Sequence, residues 1–163
     1  MIFTDILYDA GFAAIAGIGF GAISDPPLKA FKGIAILAAF GHATRFCFMN
    51  YAGQDIASAS LMGALIIGLG SFLIGRKLQC PMTVLSIPAL LPMVPGIYFY
   101  NTILSLIMFL RSAGDTPQHM AHMQDIGSNF MFAFTTTFNL AIGATLPHFI
   151  FKTKAFTLTR NKR

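Results

Sequence analysis

The chain has 163 residues, of which 55% are hydrophobic and 10% charged, and its formal net charge is +5; the mean hydropathy is +0.68. Soluble domains carry roughly a quarter charged residues, so this composition excludes an ordinary soluble enzyme. It points to an all-α integral membrane protein. Runs of ~18 or more apolar residues mark bilayer spans, and about five of them would fill most of the length as a single membrane domain over 1–163.

In chain order, the first span is expected over 5–24, closed by Asp25-Pro26-Pro27, and the second over 30–50. A third is expected over 56–74, a fourth over the proline-interrupted run 81–110, and a fifth over 128–151. The polar stretch between the last two contains Thr116-Pro117, which reads as a helix start with Thr116 as cap and Pro117 first. Beyond 151 lies a basic tail with Lys152, Lys154, Arg160, Lys162 and Arg163. The start of the chain carries Asp5 and Asp9 without a basic residue, so no cleavable signal peptide is expected. Cys47 and Cys80 are far apart in sequence and should remain free thiols.

The positive charge sits at the flanks of the apolar runs rather than in a nucleic-acid-binding patch. Lys29 and Lys32 follow the first span, Arg76 and Lys77 follow the third, and the basic tail follows the fifth. Positive residues stay on the cytoplasmic side, so the N-terminus is expected outside and the C-terminus in the cytoplasm, with 81–110 crossing once. Small residues recur every fourth position, as Ala13, Gly17 and Gly21 in the first span and Ser60, Ala64 and Gly68 in the third. Such stripes serve either internal helix packing or a subunit interface, including a homo-oligomeric one.

The fourth run reads Pro88-Ala-Leu-Leu-Pro-Met-Val-Pro-Gly96. Each internal proline removes a backbone donor and displaces the carbonyl four residues earlier, here on Val84, Pro88 and Leu91. Broken backbone at membrane depth is tolerated where protein or a wet cavity satisfies it, and transporters build binding sites from it. Pro88, Pro92, Pro95 and Gly96 are therefore candidate substrate-site residues. Gly96 is expected to adopt a left-handed backbone that ends a first half-helix. A second half-helix from Ile97 would then point its free amides and positive dipole end at a carboxylate. Tyr98 and Asn101 lie just beyond and could add a hydroxyl and an amide.

Within the second span, Arg45 offers a planar fork for a carboxylate, unless it snorkels to the nearby interface. His42, three residues earlier, is a candidate proton relay. In the fifth span Thr135, Thr136, Thr137 and Asn139 lie at mid-depth, and Asn139 could line a site or tie helices together. Asp9 falls about one turn into the first span, near the interface. Asp115, His119, His122 and Asp125 fit no defined metal motif and read as a solvated amphipathic helix. No nucleotide fingerprint, phosphate loop or catalytic triad appears, so no cofactor, metal or enzymatic reaction is expected.

The Pro88–Gly96 pattern, followed by Ile97-Tyr-Phe-Tyr100, resembles the threonine/serine exporter family. The chain is most similar to the small subunit of its split, two-component form. The resemblance implies a larger companion subunit and export of small carboxylates or amino acids: succinate for the split pair, threonine and serine for fused forms. It also implies a bacterial inner-membrane location. Of the candidate residues, only Pro88, Pro92, Pro95 and Gly96 carry over from the family pattern. The absence of an internal repeat fits a half-transporter, since many transporters pair two related halves. The alternatives are a non-transporting assembly subunit and a membrane-embedded enzyme.

Overall fold

The computed structural model describes residues 2–112 and 116–151, and every regular element among them is helical. Helix α1 spans Ile2–Ile23, α2 Leu28–Tyr51 and α3 Ile56–Leu78. A short α4, Met82–Leu90, continues into a 3₁₀ turn at Leu91–Met93. Then come α5, Gly96–Arg111, and α6, Thr116–Ile150. The chain forms two compact units, one of Met1–Met93 with Asn139–Arg163 and one of Val94–Phe138.

Local chemistry sets the boundaries. Asp25 takes a left-handed backbone at φ 44°, and Pro27 caps α2, so the chain turns back within four residues. Asp55 caps α3: its Oδ2 accepts from Ala57 N at 3.0 Å and Ser58 N at 3.2 Å. Its Oδ1 accepts from the Ser58 hydroxyl. At the other end Gln79 sits left-handed at φ 53°, and its N–H reaches the Gly75 carbonyl, a closure more often made by glycine.

Helices Thr4–Ile23, Ile56–Leu78 and Pro117–Ile150 are long and apolar enough to cross a membrane. Met82–Met93 with Gly96–Arg111 qualifies jointly, as a broken span or a re-entrant loop. The expected second span, α2, is 24 residues long but does not reach the same apolarity, because it carries Lys29, Lys32, His42 and Arg45. It is nevertheless a central packing element, resting on α1, α3 and α4. The fifth span also differs from expectation. The polar stretch from Thr116 is not a separate helix but the opening turns of the 35-residue α6. At 1.5 Å per residue α6 is about 52 Å long, well beyond a ~30 Å hydrocarbon core. No proline falls between Pro117 and Pro147 to stop it.

The core of the larger unit gathers Ile34, Leu37 and Ala38 from α2, Ala64 and Ile67 from α3, Leu85 and Ala89 from α4, Met93, and Leu140 from α6. The two small-residue stripes are spent here. A Cβ on Gly17 would stand 2.9 Å from Ala38 Cβ, and one on Gly68 2.9 Å from the Ala144 carbonyl. Without a hydrophobic drive between helices in lipid, such close backbone approach is a main source of cohesion. Both cysteines are free, Cys80 buried and Cys47 partly so.

Gly17→Leu should destabilise the protein by about 1–3 kcal/mol through overpacking. Gly19→Leu, where an added Cβ meets nothing within 4 Å, should not. Thermal unfolding in detergent compares them, and equal midpoints would deny the α1–α2 packing. Asp55 gives an acid-dependence test. Its carboxyl is held below the ordinary carboxylate value, first by the Ser58 hydroxyl and then by the Ser58 amide. A depressed folded-state value means the stabilisation is full above the unfolded value of ~3.9 and is lost as pH falls through the lower folded value. Asp55→Asn keeps an acceptor at the cap and should flatten that acid limb of a stability-against-pH curve.

Candidate functional site

The sharpest departure from expectation lies in the break itself. Pro88 is accommodated inside α4 and is fully buried, and Pro92 sits in the 3₁₀ turn. The interruption centres on Pro95, whose φ −80° and ψ 65° describe an inverse γ-turn, with Gly96 N donating to Val94 O at 2.8 Å. Gly96 is not left-handed: the only glycine with positive φ is Gly53 among the described residues. Gly96 instead opens α5, is exposed, and an added Cβ there would meet nothing within 4 Å. The turn needs no glycine because proline alone supplies its φ, so the expected left-handed Gly96 does not form. Fewer amides are free at the start of α5 than expected, since Tyr98 N also donates to Pro95 O at 3.2 Å.

Arg45 does not snorkel outward. Its Nη1 donates to the Met93 carbonyl at 3.3 Å, at the end of the α4–3₁₀ segment where helical carbonyls lose their partners. The guanidinium has five donors, and this is its one hydrogen bond among the described residues, so most of the fork is uncommitted. The approach is possible because α2 and α3 cross at glycines. A Cβ on Gly63 would lie 2.5 Å from Met93 Cε, 2.7 Å from Gly41 O and 3.5 Å from Arg45 Cβ. Gly63 thus opens the space that Met93 and Arg45 fill, and Gly41 the space that Ile67 fills. Sequence reasoning missed both glycines; the hint was that Gly41 immediately precedes His42 in an ionisable stretch.

His42 is buried, with 6% of its surface exposed, and its Nδ1 lies 3.2 Å from Asp9 Oδ2. Asp9 sits about two turns into α1 and is the partner of the His42 ring. Its charge acts on Arg45 as well as on His42. Asp9 was not among the expected site residues, yet two cationic candidates inside a neighbouring span demanded an acid. The larger unit therefore brings together Asp9, His42, Arg45 and the Met93 carbonyl.

The other candidates fall elsewhere. Asn139 Nδ2 donates to the Ala57 carbonyl at 3.0 Å, a helix tie between α6 and α3. Thr136 is buried while Thr135 and Thr137 are exposed. In the smaller unit Tyr98 packs its ring on Phe132 at 5.5 Å, and Asn101 is half-buried on α5. There His119 stacks on Phe109 at 3.7 Å, and no group of three or more metal-ligating side chains forms among the described residues. Asp115 and the basic tail from Lys152 lie outside the described residues. A cavity of about 250 Å³ between α4 and the end of α6 is lined by Met82, Ser86, Ile87, Leu90, Ala144 and His148. Its mostly apolar wall offers no partner for an anion comparable to Arg45.

The sequence model of the family described as "Threonine/Serine exporter, ThrE" matches residues 9–150. An uncharacterized protein of Haemophilus influenzae is 38% identical over 103 residues, 63% of this chain and 34% of that relative. The chain thus spans about a third of the relative's length. No solved structure matches. With a family match that runs from Asp9 at the site through nearly all of α6, the chain is a multi-pass membrane protein that belongs to the threonine/serine exporter family.

Proposed function

We propose that this chain is one subunit of a two-component secondary exporter that moves small carboxylates such as succinate, or amino acids such as threonine and serine, out across the bacterial inner membrane. The observation that carries the reading is the Arg45–Met93 contact. It sets an uncommitted guanidinium fork against the end of a broken membrane segment. A substrate carboxylate would take the free donors of Arg45 in a bidentate pair. Alternating access then comes from rocking of this chain against a larger companion subunit. The proposed topology, N-terminus outside and C-terminus cytoplasmic, rests on Lys29, Lys32, Arg76, Lys77 and the basic tail.

Counterflow of labelled succinate and threonine in vesicles holding both subunits, normalised to inserted protein, tests the site. Arg45→Ala should weaken carboxylate exchange by at least about tenfold, the scale of losing a charge-assisted hydrogen bond. Pro92→Ala restores a backbone donor and favours a continuous helix; it should insert normally and lose exchange. Normal exchange by Pro92→Ala would reduce the break to a packing kink, and exchange by this chain alone would dispense with the companion. Topology is checked separately. In a background of Cys47→Ser and Cys80→Ser, Ala52→Cys should react with an impermeant thiol reagent added outside; reaction only after permeabilisation would invert the orientation.

A further inference from the structure

The cavity between α4 and the end of α6 is a slot with two unlike ends. Its floor is formed by buried Met82 and Ser86 and half-buried Ala144, and its rims by exposed Ile87 on α4 and exposed Ala141 and Thr145 on α6. Thr145 spends its hydroxyl on the Ala141 carbonyl at 2.7 Å, which leaves that rim effectively apolar. The slot follows α4 from Met82 to Leu90, about 12 Å at 1.5 Å per residue. In a bilayer such a slot fills with lipid tail, and its ends decide which lipid stays.

The deep end, at Leu90 and Ala141, is apolar. The other end lies where three helices start or stop: Met82 opens α4, His148 is two residues from the end of α6, and Arg76 is two from the end of α3. There Met82 Sδ meets His148 Nδ1 at 3.5 Å and closes the slot. Met82 also packs with Phe72 and Phe151, whose rings stack at 4.9 Å. The Arg76 guanidinium lies over the Phe72 ring, 5.6 Å from its centre. Arg76 is exposed, and among the described residues no carboxylate pairs with it. Stacking on a ring orients a guanidinium without using its five donors, so Arg76 is held beside the mouth with its planar fork open to a phosphate. Basic residues at helix ends mark the headgroup layer. The slot therefore runs from headgroup level into hydrocarbon, with an oriented cation at the wet end.

We infer that this slot binds one anionic phospholipid, its acyl chain lying between α4 and α6 and its phosphate taken by Arg76. Basic pockets between membrane helices recognise anionic headgroups in this way. A zwitterionic lipid is disfavoured because its own cation comes up against the guanidinium. The site is separate from Asp9, His42 and Arg45 and does not depend on the substrate reading. A bound chain braces α4, whose continuation carries the Met93 carbonyl that Arg45 holds.

Native mass spectrometry of the purified full chain tests this, in detergent with equal amounts of phosphatidylglycerol and phosphatidylcholine of the same chain length. One phosphatidylglycerol should be retained, favoured by at least about fivefold, the scale of one basic residue at an anionic surface. Arg76→Gln should remove the preference. Ala141→Phe, which grows into the slot from its exposed rim, should remove the retained lipid. Lys29→Gln and Lys32→Gln, which change exposed cations at the start of α2, should alter neither. Phosphatidylglycerol should also raise the thermal unfolding midpoint of the wild type and not that of Ala141→Phe. Equal retention of the two lipids by the wild type overturns the inference. So does a preference that survives Arg76→Gln or that Lys29→Gln abolishes, since the lipid would then answer to overall charge. Lipid still retained by Ala141→Phe sits elsewhere on the surface and overturns it equally. Arg76→Gln alters only an exposed side chain, so the headgroup result stands even if Ala141→Phe fails to insert.

Discussion

At Gly41 and Gly63 the backbones of α2 and α3 approach so closely that a methyl group on Gly63 would stand 2.7 Å from the Gly41 carbonyl. The arrangement of the site depends on that crossing. The space left by the missing side chain admits Met93, and with Met93 comes the carbonyl that Arg45 holds. In lipid the apolar surfaces of helices gain nothing from leaving water, so cohesion falls to close packing of small residues and to hydrogen bonds between helices. The same device recurs where Gly17 meets Ala38 and where Gly68 and Gly143 face one another's helices. Asn139 adds a side-chain tie to the α3 backbone.

That packing lets α2 carry ionisable groups that a lipid-exposed helix would reject. Charged side chains within spans are expensive unless paired or facing an interior. Here Asp9 of α1 meets His42, and Arg45 reaches a carbonyl at the end of a helical segment. Of the ionisable groups on α2, His42 and Arg45 are sheltered by its neighbours, while Lys29 and Lys32 at its start are exposed. A charge set of this kind is poorly explained by stability alone, because apolar replacements of buried ion pairs are often neutral or better.

The break between the 3₁₀ turn and α5 is built from prolines alone. Pro95 supplies both the fixed φ and the buried ring of the inverse γ-turn, and Gly96 merely begins the next helix. Beyond it, α5 buries none of its residues, and the rings of Phe130, Phe134 and Phe138 run exposed along α6 at 6.1 Å intervals. Such apolar faces are suited to hydrocarbon. They belong to the smaller unit, while the charged set of Asp9, His42 and Arg45 belongs to the larger.

Much was determined by the sequence itself, and for local reasons. Composition and hydropathy established an all-α membrane protein. The proline spacing marked the interruption at 88–96, and the motif there pointed to the family that the profile match shows. These properties reside in single segments, because span length, missing N–H groups and capping chemistry need no distant partner. Tertiary structure decided what no segment contains. It showed that the glycine stripes are internal, that Asp9 pairs with His42 thirty-three positions away, and that Arg45 turns inward to a carbonyl forty-eight positions away. The failed expectation at Gly96 has the same origin. A Pro-Gly pair is compatible with several turns, and the choice among them depends on which backbone groups the surrounding fold leaves to be satisfied.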